Sequence, residues 1–572
     1  MFLSADVSCI EIVDINCSEL RNDRRIPPQL ALFCTNAANK AESAVTSHGQ
    51  LPIMANRRWA PHTRRQSGRA TSTCSSLMRF SASESRAHSR FECYTLVRWS
   101  IRGQGGRAIS KLGFWSVVML GINSIIGAGI FMTPGEVIKI AGPFAPIAYT
   151  LAGIFAAVLA IVFATAAKYV KTNGSSYAYT TAAFGHRIGI YVGVTHAITA
   201  SIAWGVLASS FVSTLLRVAF PEKIWADNDE LISVKTLTFL VFIAVLLAIN
   251  IFGNLVIRWA NGISALGKIF ALSVFIAGGL WTIITQHVNN YVTSRSAYQP
   301  TTYSLLGVTE IGKSTAASMT LATIVALYAF TGFESIANAA EEMNTPDRTL
   351  PKAIPLTILT VGVIYILALV VAMLLGSDKI VATNHTVKLA AAVGNNTFRT
   401  IIVVGALVSM FGINVAASFG APRLWTALSD GRILPTRLSS KNRFGVPIVA
   451  FGITAFLTLA FPLSLRFDSL NLTGLAVIAR FIQFIIVPIA LFALARSRTT
   501  NSVYVKRNVF TDKVLPITAV VVSAGLMVSF DYRSIFLTRG GPNYFSISLI
   551  AITFIGIPAV AYLHYYRTSG IK

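Results

Sequence analysis

The stretch IIGAGIF, Ile125 to Phe131, decides how this chain is read. It lies inside an apolar run from about residue 112 to 140, long enough to cross a bilayer as a helix at about 20 residues per crossing. Glycine inside a helix costs roughly 0.5–1 kcal/mol relative to alanine, so Gly127-Ala128-Gly129 marks a place where a helix loosens. A second such place, YAFTGFES (Tyr328 to Ser335), lies five apolar runs further on. Either stretch alone reads equally as a packing seam, because small residues let helices approach closely. The matched pair favours two broken helices in corresponding positions of two five-helix halves, the pattern of an inverted-repeat transporter whose site lies where the breaks meet.

The rest of the sequence fits that reading. Of 572 residues, 54% are hydrophobic and only 12% charged, and the mean hydropathy is +0.62. Twelve apolar runs of spanning length occur at about 112–140, 143–168, 187–219, 231–253, 259–285, 315–342, 353–376, 398–428, 446–465, 469–495, 513–532 and 543–565. Their continuous hydrophobicity excludes a β-barrel, whose strands alternate. The expected fold is therefore an all-α polytopic membrane protein with helices 1 and 6 unwound at mid-membrane. Its expected parts are a first repeat over 111–285, a second over 315–495 and two extra helices over 513–565.

The net charge of +25 does not imply a nucleic-acid partner, because the basic residues fall in short loops between apolar runs. From residue 111 onward, 18 Lys and Arg flank loops on the side of the N-terminus and 12 lie on the other. By the positive-inside rule both termini are expected in the cytoplasm. Residues 1–110 differ in kind: they are Arg- and Ser-rich and hold all five cysteines. They read as a disordered or mis-assigned N-terminal extension, or as a transit peptide. The cysteine spacings match no zinc pattern, so no metal site is expected.

Breaking a helix in hydrocarbon is useful because an unpaired backbone group there costs several kcal/mol unless it faces protein or a polar cavity. A half-helix beginning near Ile130 presents N–H groups and a positive dipole end to an anion. The half-helix ending near Ile125 presents carbonyls, which suit a cation. A carboxylate beside an ammonium describes an α-amino acid.

At these residues the chain resembles the amino acid-polyamine-organocation (APC) superfamily, in particular its bacterial amino acid permeases. The resemblance rests on SVVMLGINSIIGAGIF and YAFTGFESIANAAEEMNTPDRTLPKAI, supported by GSSYAYTTAAFG (Gly174 to Gly185), ALGKIFALSVFIAGGL (Ala265 to Leu280) and SDGRILP (Ser429 to Pro435), and covers about 112–565. It implies the LeuT-type 5+5 inverted repeat with 12 transmembrane helices and transport by alternating access. Carried over by position, it implies that the substrate carboxylate meets the N–H groups of Ala128 and Gly129, with Gly127 in the same turn. The amino group would meet carbonyls of Ile125, Tyr328, Ala329 and Thr331. A side chain at Gly129 would then fill the carboxylate position. Phe330, Phe333 and Trp204 are candidates for a side-chain pocket, with lipid-facing or core packing as the alternative.

Ionisable residues inside a membrane are functional candidates by default. Lys268 aligns with a lysine that takes the place of sodium in proton-coupled relatives. Burial disfavours an ammonium and carbonyl dipoles favour it, so this amine can gain and lose a proton as a cavity opens. The alternative is a lysine snorkelling to the interface. Glu334 either links protonation to gating, as the resemblance suggests, or caps the second half-helix. Arg423 reads as snorkelling, and Arg480 and His196 as structural.

The resulting expectation is a secondary active transporter of an amino acid in the plasma (inner) membrane, by proton symport, with no cofactor. An amino acid/amine exchanger is the nearest alternative, and an amino acid sensor a more distant one. Residues 220–230 hold no cysteine, so the disulfide-linked heavy chain of heteromeric exchangers is not expected as a partner. The spans show no nucleophile–base constellation, so no catalytic residues are expected and an enzyme is disfavoured.

Overall fold

The computed structural model describes residues 113–170, 175–220, 229–251, 254–291, 302–305, 309–313, 315–334, 336, 343, 346–383, 387–496, 508–538 and 541–569. The expectations for residues 1–110 and their cysteines lie outside these residues.

The helices are α1 (Phe114–Ile125), α2 (Gly129–Ala141), α3 (Ala145–Tyr169), α4 (Ser175–Phe184), α5 (His186–Ala219), α6 (Asp229–Ile251), α7 (Asn254–Gln286), α8 (Thr315–Phe330), α9 (Pro346–Ala382), α10 (Lys388–Ala391), α11 (Asn396–Asp430), α12 (Ile448–Ser464), α13 (Ser469–Arg496), α14 (Leu515–Val528), α15 (Tyr544–Ala551) and α16 (Ile557–Ser569). Among the described residues nine helical segments are long and apolar enough to cross a membrane, and α1, α8 and α12 are shorter apolar helices. One of the nine is the run Gly129–Tyr169, which turns at the short 3-10 segment Gly142–Phe144, where Gly142 has φ 56°.

Most boundaries follow the apolar runs to within a few residues, and two details go beyond them. The expected stop near residue 376 is a kink at Gly376, after which the helix resumes to Ala382. The connection before α8 carries an antiparallel hairpin, β1 (Thr302–Leu305) on β2 (Thr309–Lys313). Local chemistry sets several ends. The Asn395 side chain accepts from Thr397 N and Phe398 N to cap α11. Buried hydroxyls inside helices return to their own turn, as Thr133 does to Gly129 O and Thr454 to Ala450 O.

Helices pack closely where side chains are smallest. A methyl added at Gly405 would lie 2.5 Å from Ala271 Cβ, so α7 and α11 meet almost backbone to backbone. Several packing pairs are related by a shift of five spans. The contact of α7 with α11 corresponds to that of α13 with α5, and the contact of α3 with α8 to that of α9 with α1.

Candidate functional site

Both interruptions expected from the glycines are present. The first helix ends at Ile125, Ile126 adopts extended angles (φ −70°, ψ 94°), and α2 starts at Gly129. The second ends at Phe330, and Gly332 takes φ +114°, a left-handed value that favours glycine. Of residues 335–345, only Ile336 and Met343 are described.

The two breaks interlock. A Cβ on Gly129 would stand 2.7 Å from Ala329 Cα, and one on Gly332 would stand 2.4 Å from Ser124 O. Ser124 Oγ donates to Gly332 O at 3.2 Å. The buried Tyr365 hydroxyl, from α9, lies 3.2 Å from both Ile125 O and Ala329 O and donates to one or the other. The expectation that a side chain at Gly129 would fill a carboxylate position is thus corrected: the Cα–Cβ direction there points at the α8 backbone.

A cavity of about 400 Å³ opens beside the breaks. Ile125, Gly127, Ala128, Gly129, Tyr328, Ala329 and Thr331 all line it, with Glu334. The N–H groups of Ala128 and Gly129 have no acceptor among the described residues. Tyr328 O accepts from Thr331 N at 3.2 Å and Thr331 Oγ1 at 2.7 Å, so it is the most occupied of the expected carbonyls. The cavity runs along Leu120, Asn123 and Ser124 of α1 and reaches Leu424 of α11, whereas no residue of α2 after Gly129 lines it. It therefore extends toward the end of the bundle where α1 begins. Away from the cavity, Glu136 Oε1 on α2 holds Lys388 Nζ on α10 at 2.7 Å.

Lys268 is 1% exposed, which rules out snorkelling. Its ammonium, from α7, donates to Asn123 O at 2.9 Å and Ile126 O at 2.6 Å, two carbonyls at the C-terminal end of α1. A cation there is favoured by the negative dipole end and by carbonyls that the stopped helix leaves unpaired. Glu334 Oε2 accepts from Gly332 N at 2.9 Å, so the carboxylate closes the second break on itself. Its Oε1 stands 3.4 Å from Arg480 Nε on α13.

Arg480 and His196, read from sequence as structural, line the same cavity. Trp204 also lines it, fully buried, with Nε1 lacking a hydrogen-bond partner among the described residues. Phe330 and Phe333 do not. Phe330 faces Tyr149 and Tyr365, and Phe333 stacks with Phe484 and meets Phe163 edge-on, so both are core. Arg423 is exposed, its guanidinium 3.1 Å from the centre of the Phe419 ring, as suits a snorkelling side chain. Tyr365 was missed altogether, since a tyrosine in an apolar span carries no signal of which backbone it faces.

The amino acid permease family model matches residues 112–558. The chain is 77% identical over 462 residues to an uncharacterized transporter of Mycobacterium tuberculosis (strain ATCC 25618 / H37Rv), covering 81% of this chain and 96% of that protein. It is 26% identical over 405 residues to the branched-chain amino acid permease BcaP of Bacillus subtilis (strain 168), covering 68% of this chain and 81% of the permease. To the vacuolar cationic amino acid transporter 2 of Arabidopsis thaliana it is 24% identical over 388 residues, 66% of this chain and 58% of that transporter.

Proposed function

Because this chain belongs to the amino acid permease family, we propose that it carries an amino acid across the plasma membrane by alternating access and proton symport. One observation carries the reading: the two breaks meet at one cavity, with N–H groups free on one side and carbonyls on the other. In it the substrate carboxylate sits on the N–H groups of Ala128 and Gly129. The ammonium sits among the carbonyls of Ile125, Ala329 and Thr331, with Tyr328 O secondary. The five-span correspondence of the packing pairs supports two equivalent halves, hence a LeuT-type arrangement of five plus five helices followed by two more. The excess of basic residues flanking one set of loops supports cytoplasmic termini. On that orientation the cavity faces the cytoplasm, and the Glu136–Lys388 pair closes the outer side.

Lys268 is the proton-coupling group in this reading. Its two carbonyl partners belong to the end of α1, so a change in its protonation changes what holds that helix end in place. The cavity wall beyond the breaks is mostly apolar, formed by Ala200, Trp204 and Leu207 of α5 with Ile413, Ala416 and Leu424 of α11, with His196 of α5 among them, while Glu334 and Arg480 face each other. That lining favours an apolar substrate side chain, the chemistry named for BcaP.

The test is uptake into liposomes, screened across the twenty amino acids with and without an inward proton gradient. Leucine, isoleucine or valine is expected to rank first and to accumulate faster with the gradient. Lys268→Ala is expected to retain substrate binding and lose the gradient response. An unchanged gradient response in that variant removes Lys268 from the coupling step, and no uptake of any amino acid removes the proposal.

A further inference from the structure

A second cavity, about 460 Å³, lies away from the breaks between the C-terminal end of α5, the short helix α10 and the N-terminal end of α11. Two arginines line it, Arg217 from α5 and Arg399 from α11, together with Thr214, Thr400 and the valines 218, 387, 403 and 404. Both arginines are half-buried. Among the described residues neither guanidinium has a carboxylate partner. Lys388, the basic residue before Arg399 in the chain, is paired with Glu136. Two cations that share one cavity with no carboxylate among the described residues repel each other and are costly near a bilayer, so the arrangement suits a bound anion.

The rim says what kind. Val218 is 49% exposed and Val404 52%, and Leu215 on the same turn of α5 is exposed as well. The cavity thus meets the apolar outer surface of the bundle, where lipid chains lie. A ligand that satisfies both walls has a phosphate at one end and hydrocarbon at the other. Guanidinium groups bind phosphate oxygens bidentately, with a geometry that an ammonium lacks. We propose that Arg217 and Arg399 bind the headgroup phosphate of an anionic phospholipid, seated in this cavity with its acyl chains along Val218 and Val404.

The experiment uses the full chain purified in detergent. Thermal unfolding is followed with added phosphatidylglycerol, phosphatidylcholine or inorganic phosphate, and retained lipid is counted by native mass spectrometry. Phosphatidylglycerol is expected to raise Tm by about 3 °C over phosphatidylcholine, the size of a shift of about 1 kcal/mol in a large domain, and to remain bound to the wild type. The Arg217→Gln/Arg399→Gln double variant is expected to lose both the increment and the bound lipid. Should it fail to fold, Arg217→Lys/Arg399→Lys keeps the charge, and it is expected to lose at least half of the increment. Equal shifts from the two lipids, or a double variant that responds as the wild type does, overturns the site. Inorganic phosphate reproducing the whole shift overturns the lipid.

Discussion

The two breaks use the same kind of residue for different purposes. In the first, neither Gly127 nor Gly129 takes a left-handed φ, and a Cβ on Gly127 would meet Ile413 at 3.6 Å and Ile125 O at 3.9 Å, both ordinary contacts. In the second, Gly332 has both a left-handed φ of +114° and no room at all, with Ser124 O 2.4 Å from where a Cβ would stand. Gly127 has room for a Cβ, whereas Gly332, like Gly129 against Ala329, is pressed into the opposite break. One position leaves backbone exposed; the other two fix how closely the stopped helices lie. Glycine content alone does not distinguish them, since IIGAGIF has two glycines and YAFTGFES one.

Substitutions can break this contrast in graded steps. Gly332→Ala is expected to be the most damaging, because a left-handed alanine costs about 1–2 kcal/mol and the clash with backbone adds about 1–3 kcal/mol. Loss of transport with a fall in Tm in a thermal melt is the expected result; wild-type values would mean that the breaks separate at little cost. Gly129→Ala comes next, at about 1–3 kcal/mol of overpacking against the Ala329 backbone, without the backbone penalty. Binding isotherms and melts measured together should show affinity and stability falling in step, whereas affinity lost at full stability would place a ligand, rather than α8, against that methyl.

Tyr365→Phe removes the hydroxyl shared by Ile125 O and Ala329 O, worth about 0.5–1.5 kcal/mol as a hydrogen bond. A several-fold rise in substrate KM with folding intact is expected from uptake kinetics. Gly127→Ala should be the mildest: the methyl fits beside Ile413, so Tm should stay at the wild-type value while bulky substrates are taken up more slowly than small ones. Equal slowing of all substrates would show that the methyl disturbs the break rather than the space beside it.

What could be read beforehand follows from the same contrast. The breaks were legible because glycine in an apolar run is costly, and Lys268 because a charge there is costlier. Both are properties of one position in a hydrophobic setting. Pairings between distant spans were not. Arg480 showed no partner in sequence, yet Glu334 stands across from it, brought there by the packing of α13 on α8. Phe330 and Phe333 follow the core alternative to the pocket: they flank the second break and pack against Tyr149, Tyr365, Phe163 and Phe484 rather than lining the cavity.

The Tyr365 hydroxyl also admits a reading as a matter of supply. A hydroxyl carries one hydrogen, and two carbonyl oxygens, Ile125 O and Ala329 O, stand at equal distance from it. At any instant one of the two receives no hydrogen from Tyr365. A primary ammonium carries only donors, three of them, and is the complement of such a shortage. A tertiary amide or an N,N-dialkylated amine of equal size brings fewer hydrogens or none. On the proposed binding mode, the scarcity of one hydrogen atom favours a primary ammonium before any side chain is felt.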